Sequence, residues 1–166
     1  MAVRQHREPE PAWRRPGTER GSTLLLFPAA MLIMVALAAM TVDSAIGFLA
    51  QRQLLNATAA AANDAAAEAV SDSSFYEANR VELSPSAVEA VALARVYALV
   101  DQARHHDLVV TAEAAAPASA GCAWTVRVFA SSRVDELFGK AMPGSSGEVA
   151  VRAQSVASPR SSAGSC

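Results

Sequence analysis

The stretch MTVDSAIGFLAQRQL, residues Met40–Leu54, joins an apolar segment to an alanine-rich one without a helix breaker that would separate them. Asp43 is the only charged residue between Ser22 and Ala50. The segment before it, Ser22–Val42, is uncharged and matches the roughly 20 helical residues that a hydrocarbon core of ~30 Å requires. We therefore expect residues 22–42 to span a membrane, with Asp43 at the outer interface in contact with headgroups and water. The alternative is that Asp43 contacts a partner within an assembly.

The distribution of arginine around this segment predicts its orientation. Only Arg52 lies within about 20 residues of its far end, and basic residues near a span favour the cytoplasmic side. We expect a single-pass cell-membrane protein with residues 1–21 as a basic cytoplasmic arm and the C-terminal part extracytoplasmic. The arginines of this arm are Arg4, Arg7, Arg14, Arg15 and Arg20.

A cleaved signal peptide is the competing interpretation. The arginines resemble the charged start of a signal, and the small residues Ala36–Ala38 form a candidate cleavage site. A secreted small binding domain would then be released near Ala38. Against this, apolar character continues through Ser44–Ala50, whereas mature secreted chains usually begin with polar residues.

The helix is predicted to continue beyond the membrane as a spine over residues 43–70. Between Leu24 and Val70 only Pro28, near the helix start, and Gly47 weaken a helix. Helical spacing places one polar side next to an apolar, alanine-rich stripe. The polar side contains Arg52, Asn56 and Asn63, and the stripe contains Leu55, Ala59, Ala62 and Ala66.

A second helix is predicted after a polar break at residues 71–86. Ser86 and Glu89 have the spacing of a capping box, which predicts a helix over Ala87–His106. Its buried face is expected to comprise Val88, Ala92, Val96, Leu99 and Ala103. We interpret the adjacent His105, His106 and Asp107 as a solvated helix end and not as a metal site, because neighbouring residues point in different directions.

The remaining sequence alternates with a period of two, which predicts strands at Asp107–Ala114, Cys122–Ala130 and Gly147–Ala157. In the second strand one apolar face contains Cys122, Trp124, Val126 and Val128, and in the third it contains Val149, Val151 and Ala153. Between the last two, residues 133–144 are predicted to form a short helical turn that places Leu137 and Phe138 on the sheet and ends at Gly139. The fold class is α+β: a long N-terminal transmembrane helix that continues into a domain with a second helix and a small antiparallel sheet. This extracytoplasmic domain covers residues 71–157, and residues 158–166 form a flexible tail.

Composition and motifs favour a non-catalytic protein. The formal net charge is −2 and basic residues cluster only in the first twenty positions, so a nucleic-acid interface is not indicated. The sequence contains neither a glycine-rich phosphate loop nor a nucleophile and base at supporting spacing. We expect no enzyme activity, no cofactor, no metal and no small-molecule substrate.

The two cysteines, Cys122 and Cys166, both lie in the part expected outside the cytoplasm, where disulfides persist. An intramolecular bridge would close the tail onto a strand and stabilise by ~4 kcal/mol in the chain-entropy model. Two free or intermolecular thiols are the alternative, and the sequence leaves both open.

Residues Glu19–Ala69 resemble the N-terminal signature of TadE/TadG-like proteins of Flp (tight adherence) pilus systems. The likeness lies in the entry Arg20–Ser22, the apolar stretch, the pair Val42–Asp43 and the segment QRQLLNATAAAANDAAA that begins at Gln51. It implies a pilin-like domain and a pseudopilin-like membrane protein that acts in pilus assembly or surface adhesion without catalysis. Its partners would be the membrane and other Tad/Flp pilus assembly proteins or pseudopilins.

One position departs from the cleaved, pilin-like members. Cleavage after Gly21 would place Leu26 where these members carry a glutamate. The chain therefore resembles the uncleaved TadG-like branch more closely, which implies an anchored accessory component. We take Asp43, Arg52 and Asn56 as candidate assembly contacts.

Overall fold

The structure is a computed structural model that describes residues 22–78, 81–117, 123–141 and 144–159. It has the α+β class that the sequence predicts, with three helices and a three-stranded antiparallel sheet in this described part. The elements are α1 (Ser22–Glu68), α2 (Asp72–Ala78), α3 (Pro85–Leu99), β1 (His105–Ala115), β2 (Thr125–Asp135) and β3 (Glu148–Ala157). The predicted arm, residues 1–21, and the tail beyond Pro159 lie outside the described residues.

Helix α1 is continuous over 47 residues, and neither Pro28 nor Gly47 interrupts it. It belongs to two compact units, one that ends at Leu37 and one that begins at Ala38. In the first unit, the described side chains from Leu26 to Leu37 are all exposed although most are apolar. Within the described residues, α1 is the one helix whose length and composition allow it to cross a membrane.

The sheet forms one layer of the second unit, and its central strand β2 pairs with β1 on one side and with β3 on the other. Strand β2 alternates strictly, because successive side chains of a strand point to opposite faces. The inner face of β2 is fully buried and the outer face is open to solvent. Its buried residues are Val126, Val128, Ala130, Ser132 and Val134. Val151 and Ala153 of β3 are likewise buried, and Val149 is half-buried, so the predicted face of this strand is confirmed.

Helix α1 contributes a narrow face of small residues to the same core. The side chains recur at helical spacing, and the only large one among them is Leu54, which is fully buried. The predicted stripe is confirmed at Ala62 and Ala66, which are buried, whereas Ala59 is half-buried. It is wrong at Leu55, which is 41% exposed, because Leu54 is the buried leucine. Arg52, Asn56 and Asn63 are exposed, as predicted. The buried set comprises Ala50, Leu54, Ala57, Thr58, Ala61, Ala62, Ala65, Ala66 and Ala69.

Helix α3 begins earlier and ends earlier than the capping pattern predicted. Its N-cap is Ser84 with Pro85 as the first helical residue, and the Ser86 hydroxyl lies 3.2 Å from that of Ser84, so the predicted capping box is wrong. Val88, Ala92 and Val96 are buried as predicted. The helix ends at Leu99 because Val100 adopts an extended conformation, which turns its side chain into the core. The predicted burial of Leu99 and Ala103 is therefore wrong, since both are exposed.

Two predictions about the segments around the strands need correction. His105 and His106 begin β1 instead of ending a helix, and the strand carries an irregularity near Asp107, whose φ is 51°. Residues 133–135 belong to β2, and the helical turn that was predicted over 133–144 is reduced to a 3₁₀ turn at Gly139–Ala141. Gly139 therefore begins the turn and does not end it.

The predicted polar break contains α2. An isolated antiparallel bridge between Val70 and Leu83 brings the two ends of this segment together. Backbone bonds from Ser71 N to Glu82 O at 2.8 Å and from Ser84 N to Ala69 O at 2.9 Å flank the bridge. The chain thus returns from the end of α1 to the start of α3 over a short paired connection.

The neighbouring leucines of α1 provide a matched test of this packing. We expect Leu54→Ala to lower the free energy of unfolding by about 2 to 5 kcal/mol, because it leaves a cavity between the helix and the sheet. Leu55→Ala should cost less than about 1 kcal/mol, because its side chain is already partly in solvent. Urea unfolding of the detergent-solubilised chain, followed by circular dichroism, measures both. Equal losses for the two variants would contradict this assignment of the buried face.

Candidate functional site

Three polar side chains of α1 turn toward β3 and the connection that precedes it. Asp43, Gln51 and Thr58 are separated by eight and seven residues, and at about 100° per residue their directions fall within an arc of about 80° on one side of the helix. We call their contacts with Leu137, Phe138, Arg152 and Ser155 the α1–β3 seam. Each member bonds a different part of the strand or its connection.

Asp43 is buried at the first end of the seam, with 7% of its surface exposed. Its Oδ1 accepts hydrogen bonds from the backbone N–H of Leu137 at 2.9 Å and of Phe138 at 3.1 Å, and its Oδ2 lies 3.2 Å from the latter nitrogen. Hydrogen bonds to an ionised acceptor are stronger than neutral ones, which offsets the loss of hydration. The expectation that this carboxylate contacts headgroups and water is therefore wrong.

Gln51 bonds the exposed edge of the sheet. Its Nε2 donates to the carbonyl oxygen of Arg152, and its Oε1 accepts from the backbone N–H of the same residue at 3.2 Å. Since β3 has β2 on one side and no strand of the described residues on the other, this backbone pair would otherwise face outward. The side-chain amide thus occupies, at one residue, the position that the backbone of a further strand would take.

Thr58 completes the seam inside the core. Its Oγ1 donates to the carbonyl oxygen of Leu55 at 3.0 Å and lies 3.1 Å from the hydroxyl of Ser155. Because the Thr58 proton is used within the helix, the Ser155 hydroxyl is the donor of the second bond. Both hydroxyls are satisfied, which a fully buried threonine requires.

The other two candidate contacts lie away from the seam. Arg52 and Asn56 are exposed and line a shallow groove between α1 and the end of α3. Gln53 reaches across this groove and donates to the carbonyl oxygen of Leu99 at 3.3 Å. The structure therefore brings Arg52 and Asn56 together, but Asp43 is directed inward and shares no surface with them. The groove is lined by Leu49, Arg52, Gln53, Asn56, Ala57, Ala60 and Leu99.

His105 is a buried polar residue that sequence reasoning placed in solvent. Its Nδ1 lies 2.8 Å from the hydroxyl of Ser132, and its Nε2 is buried and has no hydrogen-bond partner within the described part of the chain. Burial lowers the pKa of His105 below its ordinary value of 6.5, with the charges of Asp101, His106 and Arg104 as smaller influences. Its position at the start of a strand, opposite Val134, is what turns it inward.

The neighbouring His106 belongs to an exposed cluster. Its Nε2 lies 3.2 Å from Asp135, whose other oxygen lies 3.0 Å from the Lys140 ammonium. The hydrogen bond from Lys140, together with His106, holds the pKa of Asp135 below its usual value. Among the residues that the structure describes, no group of three histidine, cysteine or acidic side chains is arranged to hold a metal. Cys122 and Cys166 lie outside the described residues.

No protein-family model matches the chain, and neither a curated protein nor a solved structure matches it. The class of this protein is therefore described from its fold and from the α1–β3 seam. It is an α+β domain built on the C-terminal part of a helix whose N-terminal part is long and apolar enough to cross a membrane.

Removal of the Asp43 carboxylate should loosen the connection between β2 and β3. We expect Asp43→Ala to lower the free energy of unfolding by about 1 to 3 kcal/mol, because two backbone N–H groups lose their acceptor. Amide hydrogen exchange at Leu137 and Phe138 should become faster. The exposed Asp107 supplies the control, since Asp107→Asn removes the same charge and should leave both quantities unchanged. Unaltered exchange at Leu137 and Phe138 in Asp43→Ala would contradict the seam.

The buried His105 predicts a pH-dependent stability. Because its pKa is lower in the folded chain than in the unfolded chain, the unfolded chain binds the proton more readily. Stability from this residue should be complete above about pH 6.5 and should decrease as the pH falls below that value. The slope of unfolding free energy against pH between 7 and about 5 should be smaller in His105→Gln than in His106→Gln. Equal slopes in the two variants would refute this assignment.

Proposed function

We propose that this chain is a membrane-anchored, pseudopilin-like accessory component of Flp/Tad-type pilus assembly or surface adhesion, without catalytic activity. The observation that carries the proposal is the continuity of α1, which begins as an exposed apolar helix and ends with one face buried in the core of a domain. The likeness of Glu19–Ala69 to TadE/TadG-like proteins supplies the pilus context. In this proposal residues 1–21 stay in the cytoplasm and the domain stands outside.

The face that remains available to a partner is the one around Arg52 and Asn56. Both side chains are exposed, and the neighbouring Leu49 is 61% exposed although it is apolar. An exposed combination of apolar and hydrogen-bonding groups beside a groove suits contact with another helix. We assign this face to other Tad/Flp pilus assembly proteins or pseudopilins, because Asp43 is occupied by the backbone of its own chain.

A secreted small binding domain is the second candidate function. It is favoured by one observation: the second compact unit begins at Ala38, beside the candidate cleavage site. A chain released there would keep the whole seam and the whole sheet. It would also carry Met40, Val42 and Phe48 as exposed apolar residues, which favours the anchored form.

Fractionation and intact mass separate the two functions. We expect the chain produced in a bacterium with a Tad system to resist carbonate extraction, to retain its N-terminal arm and to expose its domain to protease added outside the inner membrane. A soluble species that begins near Ala39 would establish the secreted form instead. A membrane species that begins at Ser22 would place the protein among the cleaved, pilin-like members.

Photo-crosslinking tests the partner. A photoreactive residue at Asn56 should capture pilus assembly proteins, because this position lies in the exposed groove of α1. The same residue at Arg127, exposed on the outer face of the sheet, is the control and should capture fewer of them. Equal capture at the two positions would contradict the assigned face. If the chain is anchored in the membrane but Asn56 captures no pilus assembly protein, the anchoring is supported and the assigned partner is refuted.

A further inference from the structure

The connection between β2 and β3 presents two large apolar side chains to the outside of the domain. Leu137 is 68% exposed and Phe138 is 45% exposed. Sequence reasoning placed both on the sheet, and the structure turns them away from it. Such side chains at a loop tip either lower solubility or mark a contact surface.

Backbone groups at the start of this connection are hydrogen-bonded within the protein. The N–H groups of Leu137 and Phe138 donate to Asp43, and the N–H of Glu136 donates to the carbonyl oxygen of Gly147 at 2.9 Å. The carbonyl oxygen of Phe138 accepts from Ala141 N at 2.9 Å. A loop can leave water for lipid only when its backbone polar groups are satisfied within the protein. These bonds satisfy the N–H groups of both apolar residues and the carbonyl oxygen of Phe138.

The position of Asp43 along α1 determines where Leu137 and Phe138 lie along the helix axis. It directly follows the uncharged segment, and the exposed Met40 and Val42 precede it within one turn of helix. Hydrogen bonds of 2.9 to 3.1 Å hold the backbone of Leu137 and Phe138 beside this residue. Where the end of the uncharged segment at Val42 lies at the outer interface of a bilayer, Asp43 and the loop bonded to it lie at that interface.

We propose that Leu137 and Phe138 insert into the outer face of the same membrane that α1 crosses, so that the domain contacts lipid at a second place. The occupant of this surface is lipid and not a protein, because the backbone of the loop is bonded to Asp43, the residue that directly follows the uncharged segment. Asp43 has a defined role here: it accepts the two N–H groups that would otherwise be unpaired in the interface. The inference rests on the membrane anchoring in the proposed function and is independent of the pilus partner.

Depth-dependent fluorescence quenching tests the insertion in the full-length chain. Cys122 and Cys166 are replaced by serine, and single cysteines are introduced as Phe138→Cys, Met34→Cys and Glu113→Cys. Each is labelled with an environment-sensitive fluorophore, and the protein is reconstituted into phosphatidylcholine and phosphatidylglycerol vesicles that contain spin-labelled lipid. Glu113 pairs with Arg127, eight residues along β2 from Asp135, which places the control about 26 Å from the loop end of the sheet.

We expect lipid spin labels near the headgroup to quench the fluorophore at position 138 and to shift its emission to the blue, with neither effect at position 113. The fluorophore at position 34 should be quenched by labels deeper in the acyl chains. Quenching at 34 combined with solvent-like emission at 138 would overturn the insertion and leave the anchoring intact. Solvent-like emission at all three positions would overturn both.

A folding control and a comparison of native membranes with pure lipid vesicles complete the test. Circular dichroism establishes that each variant is folded, and Leu137→Cys replaces Phe138→Cys should that variant fail to fold. A blue shift at position 138 that requires native membranes with their other proteins, and is absent in pure lipid vesicles, would assign the surface to a protein and refute the lipid contact.

Discussion

The burial of one narrow face of α1 is the constraint on which the rest of the domain depends. Most residues of that face are alanines, each of which removes little apolar surface from water, so the helix must approach the sheet closely to gain dispersion contacts. Close approach also brings short polar side chains within hydrogen-bond distance of the strand. The Thr58 contact with Ser155 therefore depends on the small size of the neighbouring residues.

The sequence predicted the elements of this fold better than their faces. The period of two identified the inner residues Val126 and Val128, because the alternation of a strand leaves two choices and the apolar one is evident. On α1, alanine surrounds the helix on several sides, so Leu54 and Leu55 were equally consistent with the pattern. The position of the sheet decides between them, and a helical pattern carries no information about that position. For α3, Ser84 and Ser86 lie on either side of Pro85, so the sequence offered two candidate N-cap residues. No local sequence signal indicated that Val100 is extended and ends the helix.

The candidate site was predictable in part. Asp43 was singled out because it is the only charge in an apolar region, yet its bonding partners lie 94 and 95 residues away along the chain. Periodicity describes neighbours within a helix or a strand, so it reports nothing about contacts at that separation. The inward direction of Asp43 removes it from the surface and leaves Arg52 and Asn56 as the accessible pair. The same limit applies to His105, whose burial follows from pairing with β2.

The spacing of Asp43, Gln51 and Thr58 restricts how this chain can change in length. Each residue of an α-helix advances the direction of its side chain by about 100°, so a single insertion between Asp43 and Thr58 would turn one end of the seam away from β3. An insertion before Asp43 leaves the three contacts in phase and changes only the apolar stretch. The length of the apolar stretch and the architecture of the domain can therefore change independently, with Asp43 as the boundary between them.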